Sequence, residues 1–297
     1  MNLDESAVGR LLRMEEVIPA MERALADFSS GTVVQPVRTM LPVDEHGGFL
    51  GLMPAYTGSA LGTKLVGFYP RNTDVPTHHA TILLFRPETG EPLVSMDGRL
   101  ITEVRTAAVS AVATKHLARS DASVLAIIGS GVQARSHLEA LRLVREFREV
   151  RVWSPRRAAA FAEEHGVVAG PSTEEAVRGA DVVVTATTSP TPVLFGKWLS
   201  PGAHVNAVGA PRPDWRELDD GVPSRAKVYV DSREAAMKES GDVIAAGEVF
   251  AEIGEVASGT RPDRRSEEEV TLFKSLGLAV EDVAAAELVY RKALGDA

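Results

Sequence analysis

The chain has 297 residues, 44% hydrophobic and 25% charged, and a formal net charge of -9. That length is large for one compact core and implies two lobes, and the composition excludes a disordered or fibrous chain. The acidic balance argues against nucleic acid as a partner, and the lack of cysteine excludes disulfides, thiol nucleophiles and Cys–metal sites.

No metal site is expected. The start, Met1-Asn2-Leu3-Asp4-Glu5-Ser6, lacks the basic and apolar regions of a signal peptide. No apolar run approaches the roughly 20 residues of a membrane span. A soluble cytoplasmic protein with no membrane partner is the expectation.

From Glu5 to Ser29, apolar residues recur at helical spacing (Val8, Leu11, Leu12, Val17, Met21, Leu25), and Gly31 ends the run. Short strand-like runs follow at Gln35–Pro42, Gly48–Met53, Thr63–Tyr69, His79–Arg86 and Pro92–Ser95. Pro87–Gly90 and Asp97-Gly98 read as hairpin connections. An Ala-rich helix is expected over Glu103–Ala118. Thereafter strands alternate with helices: Val124–Ile128, Glu149–Trp153, Asp181–Thr185, His204–Val208 and Ala226–Asp231 as strands, with helices at Gln133–Phe147, at Arg157–His165 and from Glu234. That alternation implies a parallel sheet covered on both faces. A last helix, Val280–Leu294, is expected to pack back on the first lobe. The fold class is thus α/β: a Rossmann-type doubly wound parallel sheet over 119–277, plus an α+β lobe formed by 1–118 and 278–297.

Gly129-Ser130-Gly131-Val132-Gln133-Ala134 fits the G-x-G-x-x-G/A fingerprint for dinucleotides. The first Gly permits a tight turn, and the second lets backbone approach a pyrophosphate. Ala134 lets the following helix, whose N-terminus attracts phosphate, pack closely on its strand. An NAD enzyme usually carries Asp or Glu at the end of the second strand to hold the ribose 2′-hydroxyl. Here Trp153-Ser154-Pro155-Arg156-Arg157 stands in that place. Two guanidinium groups suit a 2′-phosphate, so NADP(H) is favoured over NAD(H). The bland alternative is that these arginines solvate the start of a helix, with Arg151 nearby.

Arg38, Lys64 and Arg105 each lie among apolar or small residues in the first lobe. Each alone reads as a surface charge or an ion-pair member, and together they suit a substrate carboxylate.

Over nearly its whole length the chain resembles the ornithine cyclodeaminase/mu-crystallin family, most of all its mu-crystallin, ketimine-reductase branch. The segments that carry the likeness are Gln35–Thr39, Met53–Tyr56, Thr63–Val66, Arg105–Ala111, Asn206–Ala210, Arg212–Asp220 and Phe273–Asp282. The resemblance implies a homodimer whose first lobe supplies both the dimer contacts and the substrate pocket. Arg38, Lys64 and Arg105 would hold the substrate carboxylate beside the nicotinamide, with His78 and His79 near another pocket-lining segment or merely at a polar strand entrance. Gly129, Gly131, Val132 and Gln133 would form the cofactor loop. Ser154, Arg156 and Arg157 would surround the 2′-phosphate, Thr187 and Val208–Ala210 would line the cofactor, and Leu278 would approach its nicotinamide end.

One departure discriminates between activities. Cyclodeaminases carry an Asp two residues after the glycine of the Asn-Ala-Val-Gly stretch, for acid/base work. This chain reads Gly209-Ala210-Pro211, and Asp214 is offset by three residues. The resemblance therefore implies an NAD(P)H-dependent oxidoreductase acting on C=N bonds. Its substrate would be a small cyclic imino acid, Δ1-pyrroline-2-carboxylate or Δ1-piperideine-2-carboxylate, reduced to proline or pipecolate, with Pro211 shaping the pocket. The alternatives are ornithine cyclodeaminase, an alanine or N-alkyl amino acid dehydrogenase, or an NADPH-dependent binder of thyroid-hormone-like ligands without turnover.

Overall fold

The computed structural model describes residues 1–296, which divide into two compact units. The first comprises residues 1–105 and 277 onward, and the second is Thr106–Leu276.

The first unit is built on a six-stranded sheet in the order β1-β6-β5-β4-β3-β2. Its strands are β1 (Asn2–Leu3), β2 (Thr39–Val43), β3 (Gly48–Tyr56), β4 (Leu61–Phe68), β5 (His78–Phe85) and β6 (Pro92–Asp97). All neighbours pair antiparallel except β1, which runs parallel to β6. Because side chains alternate across a strand, Gly62, Lys64 and Val66 share the buried face of β4. Two helices precede β2: α1 (Glu5–Leu11) and α2 (Met14–Ser29). The single helix expected over Glu5–Ser29 is thus broken at Leu12-Arg13, where both residues take extended backbone. Asp97-Gly98 leads into α3 (Arg99–Leu117) rather than a hairpin, since the Asp97 carboxylate accepts from Arg99 and Leu100 N–H. The division between the units falls within α3.

The second unit carries an eight-stranded, wholly parallel sheet in the order β13-β12-β14-β11-β10-β7-β8-β9. Its strands are β7 (Val124–Ile128), β8 (Glu149–Trp153), β9 (Val168–Ala169), β10 (Val182–Thr185), β11 (His204–Ala207), β12 (Ala226–Val230), β13 (Ala251–Glu252) and β14 (Val270–Lys274). Its helices are α4 (Val132–Arg142), α5 (Ala158–His165), α6 (Thr173–Val177), α7 (Arg233–Glu239), α8 (Gly241–Ala246) and α9 (Ile253–Ala257). Every residue of β7, β10, β11 and β14 is buried, as strands covered on both faces require. β14 was not among the expected strands, because its run ends in Phe273-Lys274-Ser275 rather than in a purely apolar stretch. The strand order reverses between β7 and β10, which makes their C-terminal ends the switch point where such sheets bind ligands. The last helix, α10 (Ala279–Leu294), packs against α2 and against β3, β4 and β5 of the first unit. No helix among the described residues is long and apolar enough to cross a membrane.

Candidate functional site

In the first unit the alternation of β4 turns a lysine inward. Lys64 is 2% exposed and faces Met53 and Ile82 across the ladder. Its ammonium lies 2.6 Å from Asp282 Oδ2, in the first turn of α10. The other oxygen of that carboxylate accepts from Arg105 Nε at 3.0 Å, and Arg105 Nη1 donates to Glu281 Oε2 at 2.6 Å. Gly277, at φ +81°, lies flat on the guanidinium: a Cβ there would meet Arg105 Nη1 at 2.4 Å. Gln35 fixes the helix start by accepting from Val280 N–H at 2.7 Å.

Of the other residues singled out, Arg38 and His78 lie near enough to act on this cluster through their charges or to feel its own. Burial lowers the Lys64 ammonium most, Asp282 opposes that, and the cations Arg105 and Arg38 lower it further, to about 8. His78 at the start of β5 is lowered to about 4 by burial and then by Lys64 and Arg105. Its ring is therefore neutral at pH 7. Burial alone would raise the Asp282 carboxyl, but Arg105 and Lys64 outweigh it and hold the group below its usual range. The acids Glu281 and Asp282 escaped the sequence reading because Glu-Asp in a first helical turn looks like ordinary complementation of the helix dipole.

In the second unit the glycine loop follows β7 at the switch point. Gly129, at φ +124°, leaves no room for a side chain, since a Cβ would lie 2.4 Å from the Ala186 carbonyl oxygen. Gly131 is the N-cap of α4, with no side-chain cap and open space where its Cβ would stand. An uncapped helix start behind a glycine surface suits a pyrophosphate, and these residues fit the dinucleotide. Val132 is exposed on the first turn of α4, and the Gln133 side-chain oxygen is buried without a hydrogen-bond partner. Ser130 and Ser154 hydroxyls meet at 2.9 Å, and Gly129 N–H donates to Trp153 O at 2.8 Å, so the loop is tied to the end of β8. Arg156 and Arg157 follow there, both exposed. Arg151 points elsewhere, bound to Glu149 and the Arg178 carbonyl.

A second buried charge cluster lies behind the loops that follow β10 and β11. Glu217 accepts from Thr187 N–H at 2.8 Å, Thr187 Oγ1 at 2.5 Å and Thr185 Oγ1 at 2.9 Å. Asp242 accepts from Leu218 N–H at 3.1 Å and Glu217 N–H at 3.4 Å. Lys274 lies 3.1 Å from Asp242 and also donates to the Gly209 carbonyl. Burial raises the Glu217 carboxyl, with Lys274 opposing. Val208 continues the β11 ladder by donating to Thr185 O at 2.9 Å. Ala210 takes a left-handed φ of 53°, after which Pro211 is exposed. Asp214 is paired with Arg212. Leu278, buried at the N-cap of α10, belongs to the unit that holds Lys64.

The family model described as ornithine cyclodeaminase/mu-crystallin matches residues 1–297. The ketimine reductase mu-crystallin of Mus musculus is 55% identical over 286 residues, covering 92% of this chain and 91% of its own. A Δ1-pyrroline-2-carboxylate reductase of Bacillus cereus is 39% identical over 306 residues, covering 96% and 94%. Among solved structures, the Thermococcus litoralis Δ1-pyrroline-2-carboxylate reductase in complex with NADH and L-proline superposes with TM-score 0.95 at 40% identity, covering 99% and 98% of the two chains. An archaeal alanine dehydrogenase dimer with bound NAD gives 0.94 at 38%, covering 99% and 96%. With the model matched from end to end and these relatives aligned over nearly their full lengths, the chain belongs to the ornithine cyclodeaminase/mu-crystallin family.

Proposed function

We propose that this protein reduces small cyclic imino acids at the C=N bond, with Δ1-pyrroline-2-carboxylate and Δ1-piperideine-2-carboxylate as substrates and proline and pipecolate as products. One observation carries the reading. The first unit draws together three cations, Lys64, Arg105 and Arg38, with Asp282 and Glu281 set against them. A buried ammonium with guanidinium groups around it suits a substrate that is a monoanion while its imine is neutral. Arg105 and Arg38 suit the carboxylate, because guanidinium binds it in fixed geometry. Pro211 replaces the acid that ring-closing deamination needs, and Asp214 is engaged by Arg212. Reduction is therefore favoured over cyclodeamination.

A nicotinamide held by this chain would supply hydride to the carbon that bears the carboxylate. Gly129, Gly131, Val132 and Gln133 would hold its pyrophosphate, and Thr187, Val208 and Leu278 its nicotinamide half. Ser154, Arg156 and Arg157 would hold a 2′-phosphate. Two solved relatives carry NADH or NAD, so the preference for NADPH rests on those arginines. An acyclic imine of pyruvate would satisfy the same cations, and the likeness to alanine dehydrogenase makes it the substrate to test second. Purified protein with either cyclic imine should consume NADPH, followed at the nicotinamide absorbance. Pyruvate with ammonia or methylamine, and ornithine assayed for ammonia release, complete the panel. Oxidation by none of the imines excludes the reductase.

A homodimer and a cytoplasmic location belong to the same proposal. The edge strand β2 and its neighbour β3 expose an apolar patch: Leu41 at 56%, Met40 at 41%, and Leu50 and Leu52 at 37% each, with Val34 at 67% beside them. An unpaired, apolar sheet edge of this kind needs a cover, and a second copy of the chain is the occupant we assign. Leu41→Asp should convert a dimer to a monomer by light scattering. A wild-type monomer would refute the assignment.

A further inference from the structure

Reduction of a neutral imine needs a proton at nitrogen as well as two electrons at carbon. A lysine beside the imine has conflicting effects, because its charge provides the proton and also opposes the iminium it would create. The geometry around Lys64 resolves that conflict. The groups facing it are Asp282 and Glu281 from α10, Arg105 from α3, Arg38 from the segment before β2, and His78 from β5. Only Asp282 touches the ammonium as a carboxylate among the described residues, at 2.6 Å, and its second oxygen is locked by Arg105 Nε at 3.0 Å. His78 is neutral near pH 7 and brings no charge.

Resting on the imine-reductase reading, we propose that Asp282 is a positioning residue that holds Lys64 protonated for delivery to the imine nitrogen and then serves as counter-ion to the iminium. In the step, an N–H bond of the Lys64 ammonium breaks and an N–H bond forms on the imine nitrogen. Lys64 is left as a neutral amine. The hydride that then arrives at carbon, with two electrons from the reduced nicotinamide, pushes the C=N π pair onto nitrogen as its lone pair. Lys64 regains its proton from water, so the whole is imine plus reduced nicotinamide plus one proton, giving cyclic amino acid plus oxidised nicotinamide. In the proton transfer itself the iminium takes the place of the Lys64 ammonium opposite Asp282, so that step neither adds nor removes charge in a buried site, where an uncompensated one would be costly. The one proton consumed overall enters when Lys64 is reprotonated. Glu281 completes the device by holding Arg105 Nη1, so that the guanidinium cannot turn away from Asp282.

The experiment is the pH profile of kcat/KM for Δ1-pyrroline-2-carboxylate reduction by wild type, Asp282→Asn and Asp282→Glu. Wild type should lose activity as pH rises through about 8, where Lys64 deprotonates. Asp282→Asn removes the charge that touches and favours the ammonium, so the alkaline limb should move down by roughly 1–3 pH units. The loss against wild type is then about tenfold or more at pH 8 and much smaller at pH 6. Asp282→Glu keeps the charge and should keep the limb while lowering kcat. An equal loss at every pH in Asp282→Asn, with thermal midpoint and NADPH fluorescence unchanged, would overturn the proposal. If wild type reduces no imine, the reductase reading fails by itself. The Lys64–Asp282 link is then tested by calorimetric binding of pyrrole-2-carboxylate, a planar anion that cannot be reduced. The pH of half-lost binding should fall in Asp282→Asn, and an unmoved value would sink the link.

Discussion

The two units each bury a charge cluster, and the clusters are built to different ends. In the second unit, one lysine faces two carboxylates whose oxygens are taken by backbone N–H groups and threonine hydroxyls. Donors are many, and the cations are Lys274, buried within it, and Arg216, 3.9 Å from Asp242. In the first unit the carboxylates Asp282 and Glu281 have ammonium and guanidinium partners instead. The network of the second unit ties loops together, whereas the first-unit cluster, which we propose is open to an anion, presents ammonium and guanidinium groups. Burial alone would not have told them apart, since Lys64 and Lys274 are both almost wholly enclosed.

The largest effect should come from the open cluster. Lys64→Ala should cut imine turnover by about 10²–10⁴-fold, the usual range for a lost proton donor, with Arg105→Ala comparable and Arg38→Ala weaker. NADPH binding, read by fluorescence, should survive all three. Equal loss of cofactor affinity would show that these cations serve the nucleotide instead. Stability should sort the lysines the other way. Lys274→Met strands Glu217 and Asp242 with only Arg216, 3.9 Å from Asp242, nearby, and breaking such a buried pair costs roughly 3–5 kcal/mol. Lys64→Met leaves two cations on two carboxylates and should cost less. A reversed order of thermal midpoints would break the contrast. Charge reversal at both Arg156 and Arg157 should shift the NADPH-to-NADH preference by about ten- to a hundredfold, on 1.5–3 kcal/mol for hydrogen bonds to a charged group. An unchanged ratio would remove these arginines from cofactor choice.

The mildest effect is acid sensitivity of the second unit. Burial holds His204 near 3 and His137 near 4, against 6.5 for the free side chain. Between 6.5 and those values the unfolded chain binds protons that the folded one does not, so stability falls as pH drops through that window. The thermal midpoint should decline from pH 6.5 downward, and less steeply in His204→Gln. An identical decline in that variant would assign the acid lability elsewhere.

Much of the second unit was legible because its signals are local. Val124–Ile128 and Glu149–Trp153 form strands at the expected residues, since continuous apolar or alternating runs bounded by turn residues admit few other readings. The glycine loop could be placed for the same reason. The open cluster was only half legible. Lys64 and Arg105 stood out as charges among small residues, but the acids that govern them lie on α10, and Arg105 and Asp282 are 177 residues apart. No spacing rule joins such positions. The buried run of Glu217, Asp242 and Lys274 was missed on the same ground, each residue passing for a surface charge until the fold enclosed it.

That sequence distance has a consequence for how the molecule is made. α10 lies beyond the whole of Thr106–Leu276, so the unit that carries Lys64 is interrupted in sequence while the other is continuous. During synthesis the parallel sheet has all its strands before α10 leaves the ribosome. Until then Lys64 and Arg105 face each other's charge without Asp282 or Glu281, and the six-stranded sheet lacks the helix that covers β3, β4 and β5. Closing so long a loop is entropically slow. The cluster of Lys64, Arg105, Asp282 and Glu281 is therefore among the last parts of the protein to form, and a chain cut short before Leu278 would carry Lys64 and Arg105 without their carboxylates.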